Sequence, residues 1–136
     1  MAKNDRQKNK GRFAGVPLAV MDNPSYISLS FSARALLYEI AKQYNKHNNG
    51  KLCAIPEQLE SRGFKSATTV YKATKELIKN ELILVSKTNP KGSRKPYYYA
   101  LTWQPIDSIA GFNMDIEPTK TPPRKFSLEN GAKLAA

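Results

Sequence analysis

Residues 55–83, IPEQLESRGFKSATTVYKATKELIKNELI, carry two helix signals separated by a glycine. Pro56 suits a first helical turn because it lacks the N–H that would go unpaired there. Leu59 points inward, and Gly63 ends the segment. Ser66 then offers a cap for a further helix, along which Val70, Ala73, Thr74 and Leu77 recur at helical spacing. With those four turned inward, Ser66, Thr68, Thr69, Tyr71, Lys72 and Lys75 lie on or near the outer face, preceded by Lys65. No carboxylate occurs from Lys65 to Lys75; Glu76 and Glu81 come only beyond that stretch. A solvated helix face ordinarily mixes acids with its lysines at i, i+4, so this pattern suits an anionic partner.

Downstream, ELILVSK and YYYALTW are rich in β-branched and aromatic residues and read as two strands joined by the loop TNPKGSRKP. Alternation along the second strand sets Tyr97, Tyr99, Leu101 and Trp103 on one face, expected to be the core face. Tyr98, Ala100 and Thr102 fall on the other, with Tyr98 a candidate for stacking on a base. The prolines and Gly92 shape a hairpin tip that carries Lys87, Lys91, Ser93, Arg94 and Lys95.

Upstream, SFSARALLYEIAKQYNK holds Ala33, Leu36, Leu37, Ile40, Ala41 and Tyr44 in one apolar stripe, with Ser30 as its cap. HNNG follows, and its Asn48, Asn49 and Gly50 tolerate the left-handed backbone that reverses a chain. KLCA is long enough for a very short strand. Before the helix, RFAGVPLAVMDNPSY supplies Val16, Leu18, Val20 and Met21, expected as an extended lead-in with a turn at Asn23-Pro24. The expected order is therefore helix, short strand, helix, helix, strand, loop, strand.

The chain has 136 residues, with 22 Lys plus Arg against 11 Asp plus Glu and a net charge of +11. The excess is +4 over residues 1–12, +7 over 13–103 and 0 over 104–136. Three segments follow: a disordered basic arm at 1–12, a domain at 13–103, and a Pro-containing, largely unstructured tail at 104–136, with IDSIAGF a stretch that packs back. Such charge points to a polyanion. No apolar run reaches the roughly 20 residues of a membrane span, and the basic opening lacks the apolar core of a secretory signal. A reducing cytoplasm is the expected home, with Cys53 a small buried apolar residue.

No enzyme signature emerges, and no metal or cofactor is expected. His47 has no partner at ligand spacing, and Glu57 and Glu60 stand without a second carboxylate pair or a phosphate-binding glycine loop.

The order of elements is that of a winged helix-turn-helix, an α+β fold of three helices with a small antiparallel sheet. The stretch 55–83 resembles that family's core motif: Leu59 in the positioning helix, Gly63 in the turn, Thr69-Val70, Ala73 and Glu76-Leu77 in the recognition helix, and Leu82-Ile83 opening the wing. It departs from the common pattern at Glu60 and Arg62. Residues 12–52 are similar to the N-terminal portion of helix-turn-helix proteins carried by bacterial prophages and plasmids, some of them replication-linked.

The resemblance implies binding of double-stranded DNA, with residues 66–79 in the major groove. That groove, about 12 Å wide, admits a helix bearing short polar and basic side chains. The first turn of this helix favours a phosphate. Lys87, Lys91, Ser93, Arg94, Lys95 and Tyr98 would form the wing contacts, and Lys3, Arg6, Lys8, Lys10 and Arg12 of the arm would add sequence-independent affinity. The expected role is a transcriptional regulator of a phage- or plasmid-like element. A replication-origin binder is the first alternative, and a protein-protein adaptor acting on a host complex the second. A host protein and a second copy of the chain, as a homodimer, are the other partners the sequence allows. The terminal GAKLAA resembles degrons read by bacterial proteases.

Overall fold

Ser30 and Ser66 each open a long helix by the same device. Ser30 accepts the Ala33 N–H at 3.2 Å, and Ser66 accepts the Thr68 N–H at 3.1 Å. Both occupy extended backbone, as a capping residue must. The computed structural model describes residues 10–90 and 92–135, with side chains through residue 131. Within them the chain folds as a small α+β domain of six helices and a two-stranded antiparallel sheet.

The two capped helices are α3, Phe31–Ala41, and α5, Ala67–Lys79; they follow α1, Leu18–Met21, and α2, Pro24–Ile27. Between the long pair lies α4, Pro56–Leu59, continued by a 3-10 turn over Glu60–Arg62. Gly63 ends that turn at φ 103°, a left-handed conformation that suits glycine. The inward stripes are as the spacing predicts: Ala33, Leu36, Leu37, Ile40 and Ala41 on α3 pack with Val70, Ala73 and Leu77 on α5. Thr74 is buried as well and returns its hydroxyl to the Val70 carbonyl at 2.8 Å.

Strand β1, Ile83–Lys87, pairs antiparallel with β2, Tyr98–Leu101. The register runs from Ile83 opposite Leu101 to Val85 opposite Tyr99, then slips so that Lys87 faces Tyr98. Ser86 is the extra residue of that bulge; it is fully buried and donates its hydroxyl to the Gly50 carbonyl. KLCA contributes one bridge, Leu52 to Tyr99, on the other edge of β2.

Two stretches differ from the sequence expectation. The lead-in is not extended but forms α1 and α2, the second capped by Asn23, whose side chain accepts the Ser25 N–H at 2.9 Å. The tail packs back through IDSIAGF as expected, and is ordered beyond that stretch as well. Asp107 and Asn49 exchange hydrogen bonds of 2.8 and 2.9 Å, and Asp115 donates its N–H to Ser86 at 2.8 Å while its carboxylate accepts that of Thr88 at 2.8 Å. Arg124 donates its N–H to Thr102 at 3.0 Å, and α6, Phe126–Ala135, closes the chain. Ile106 and Phe126 are buried, each worth about 1.5–3 kcal/mol of apolar transfer. Ala100 and Thr102, set by alternation on the face opposite Tyr99 and Leu101, are buried too.

The turn after α3 also differs. Lys46 and Gly50 take the positive φ values, while Asn49 is fully buried. Its side-chain oxygen accepts the Leu101 N–H at 2.7 Å, and its amide donates to the carbonyls of Leu101, Gln104 and Pro105 at 3.0, 3.2 and 2.9 Å. Burying an amide requires such a full set of partners.

Candidate nucleic-acid interface

With Val70, Ala73, Thr74 and Leu77 turned into the core, α5 presents its other side to solvent. Lys65, Ser66, Thr68, Tyr71, Lys72 and Lys75 are exposed there, and Thr69 is half-buried. Two acid-centred contacts hold this helix and α4 on α3. The Glu76 carboxylate accepts the Ser30 N–H and hydroxyl at 2.8 and 2.6 Å. The Arg62 guanidinium forks the Glu39 carboxylate at 2.8 and 3.1 Å. That fork holds the Glu39 carboxyl below its ordinary value. Glu76 and Glu39 are thus turned to fastening, and Lys65, Lys72 and Lys75 stand on the outer side of α5 with Ser66, Thr68 and Tyr71, while Glu57 and Glu60 stay exposed on and after α4.

The β1–β2 loop stands beside that face. Its neck is braced by the Asn89 amide donating to the Pro96 carbonyl, and its tip turns through Ser93 N–H to Pro90 at 2.9 Å with Gly92 at φ 87°. Ser93, Arg94 and Lys95 are exposed. Between α5, α4 and the loop runs a groove of about 890 Å³, walled by Tyr71, Lys75, Arg94, Lys95 and Tyr97, with Ile55, Pro56 and Tyr99 among its apolar surfaces. Glu57 is its one carboxylate. Burial pushes the Tyr99 phenol and the Cys53 thiol above their ordinary values, so both stay neutral at physiological pH.

Of the residues named from the sequence, Tyr71 and Lys75 of α5 and Ser93, Arg94 and Lys95 of the loop line this groove, whereas two described residues of the hairpin do not. The Lys87 ammonium donates to the Asn113 carbonyl at 2.7 Å and lies 5.0 Å from the centre of the Phe112 ring. The Tyr98 ring meets Phe112 edge-on at 4.9 Å. Both are engaged by the returning tail, on the opposite side of the hairpin from the groove, because neighbouring strand residues point to opposite faces. Tyr97, assigned to the core by alternation, is instead 47% exposed in the groove. Strand pairing begins only at Tyr98, which frees Tyr97 from the buried face. Its position next to the basic run, at the loop-strand junction, was the available signal.

Of the arm, Lys10 is exposed, and Arg12 donates to the Tyr44 carbonyl at 3.3 Å. Lys3, Arg6, Lys8 and, in the loop, Lys91 lie outside the described residues. Cys53 is half-buried rather than buried, with its N–H donating to the Gln43 side chain at 3.0 Å. Among the described residues no cluster of three or more His, Cys, Asp or Glu side chains could hold a metal ion, and no helix is long and apolar enough to cross a membrane. Comparison of the chain with protein-family models, with curated proteins and with solved structures finds no match.

Proposed function

We propose that this chain binds double-stranded DNA as a winged helix-turn-helix protein, with α4 as positioning helix, α5 in the major groove and the β1–β2 loop as a wing on the flanking backbone. The observation that carries the reading is the carboxylate-free outer face of α5 beside a basic loop. Lys65, Lys72 and Lys75 on the helix and Arg94 and Lys95 on the loop are all exposed. The order α3, Leu52 bridge, α4, α5, β1, loop, β2 agrees with that architecture. On such a surface, lysines and the first turn of α5 hold phosphates, while Ser, Thr and Tyr side chains reach base edges.

The role that fits best is a transcriptional regulator of a phage- or plasmid-like element, a reading supported by the resemblance of residues 12–103. Electrophoretic shift of a mixed-sequence duplex at increasing salt tests the binding. Affinity is expected to fall steeply, since each neutralised phosphate contributes a log-log slope of about −0.9. A duplex left unshifted at low salt would defeat the proposal. Selection from random duplexes then tests the role: a single promoter-like site fits a regulator, whereas tandem repeats fit an origin binder.

A further inference from the structure

The groove between α5 and the loop has a chemistry that paired DNA does not match. Tyr71 is 58% exposed on its helical wall and Tyr97 47% exposed on its loop wall. Ala54, Ile55 and Pro56 add apolar surface, and Lys75, Arg94 and Lys95 line the same space. At about 890 Å³ it is of a size that takes small-molecule groups. Phosphates seek cations and N–H donors, and the edges of paired bases seek hydrogen-bonding partners. The flat apolar face of a base becomes available only when the base leaves its stack. Aromatic rings are the side chains that receive it, and cations beside them hold the attached backbone.

We propose that this groove receives unpaired bases, with Tyr97 and Tyr71 as stacking platforms and Lys75, Arg94 and Lys95 holding the connecting phosphates. The partner is then a duplex that passes into a single strand, with paired DNA on α5 and the unpaired strand between helix and loop. The inference rests on the duplex-binding reading above and extends it. An acidic, aromatic peptide is the rival occupant. The nucleic acid is favoured because the cations of the groove continue those along α5, where Lys65 and Lys72 are exposed.

The test compares one mixed-sequence blunt duplex with the same duplex bearing a short unpaired thymine arm, by fluorescence anisotropy of the full chain at fixed salt. The forked probe is expected to bind about tenfold or more tightly, the effect of stacking one base. Tyr97→Leu is expected to bring that ratio towards one, and Tyr97→Phe, which keeps the ring, to preserve it. Tyr97 is half exposed, and an unchanged thermal midpoint by circular dichroism would show that both variants fold. Equal binding of the two probes by the wild type, or a ratio that survives Tyr97→Leu, would overturn the inference while leaving duplex binding in place. If neither probe binds at low salt, both readings fail and the groove passes to the peptide.

Discussion

Glu76, on α5, caps a helix to which it does not belong: its carboxylate accepts the backbone N–H of Ser30 at 2.8 Å and the Ser30 hydroxyl at 2.6 Å, at the start of α3. A capping box normally takes this carboxylate from the third residue of the same helix. Here position three is taken by Ala33, and the acid comes from 46 residues away. The contact therefore orders α3 and fixes the tilt of α5 at once.

Glu76→Ala is expected to cost about 1–2 kcal/mol, the sum of a lost cap and a lost charge at a helix N-terminus. Urea unfolding followed by the fluorescence of Trp103, the sole tryptophan, measures it. A loss below a few tenths would mean that solvent replaces the carboxylate at no cost. Glu76→Gln keeps the acceptor geometry and is expected to recover part of the loss.

Arg124 is the pin of the C-terminal segment. Its guanidinium donates to the carbonyls of Asn80 and Glu81 at 2.8 and 3.2 Å, to Ser25 at 2.8 Å and to the Glu129 carboxylate at 2.8 and 2.9 Å. It also lies 4.2 Å from the Phe126 ring centre. Those carbonyls end α5, where Glu81 sits at the strained φ of 56°. Arg124→Ala strands them in a site where the arginine side chain is only 16% exposed. The expected cost is about 2–4 kcal/mol, with α6 becoming sensitive to Glu-specific protease at Glu129. Protease resistance equal to that of the wild type would show that apolar packing alone holds the segment.

This pin illustrates which parts of the molecule were legible in the sequence. Helices α3 and α5 were legible because caps and apolar stripes are local and periodic: Ser30, Ser66, Leu36 and Leu77 announce themselves at fixed spacing. Of the tail only the return of IDSIAGF was, because Asp115 and Arg124 hold the rest through partners more than twenty residues distant, and no period encodes such pairs. The exposure of Tyr97 and the cover over Tyr98 escape the sequence for a related reason. Alternation sorts the faces, but burial follows only once the strand's first paired residue and the cover of its second face are known, and Phe112 supplies that cover from outside the motif.

Acid should loosen the fold through two carboxylates. Arg62 holds Glu39, and Arg124 holds Glu129, below the ordinary value of 4.5. Between 4.5 and the lower folded values the unfolded chain takes up the protons, so this stability is present above the unfolded value and is lost as pH falls through the folded ones. Arg62→Gln is expected to flatten the acid limb of a stability-against-pH curve without moving its neutral plateau far, since the Arg62 side chain is 49% exposed and solvent screens the pair. An acid limb of unchanged steepness would place the acid sensitivity elsewhere.

The described basic residues of the hairpin divide into two sets with opposite expected phenotypes. Arg94 and Lys95 are exposed at the groove, whereas the Lys87 ammonium is committed to Asn113 at 2.7 Å and to the Phe112 ring. If the loop meets phosphates, the double change Arg94→Ala with Lys95→Ala removes two contacts. It is then expected to weaken binding to all duplexes about equally and to lower the log-log salt slope by about 2. Lys87→Ala is expected to leave that slope within experimental error and instead to loosen the 112–115 segment, seen as faster amide exchange at Thr88, whose N–H donates to the Asp115 carboxylate, and at Asp115, whose N–H donates to the Ser86 carbonyl. A slope that responds to Lys87 and not to Arg94 and Lys95 would reverse the orientation of the hairpin on DNA, putting the Phe112 face rather than the groove against the backbone.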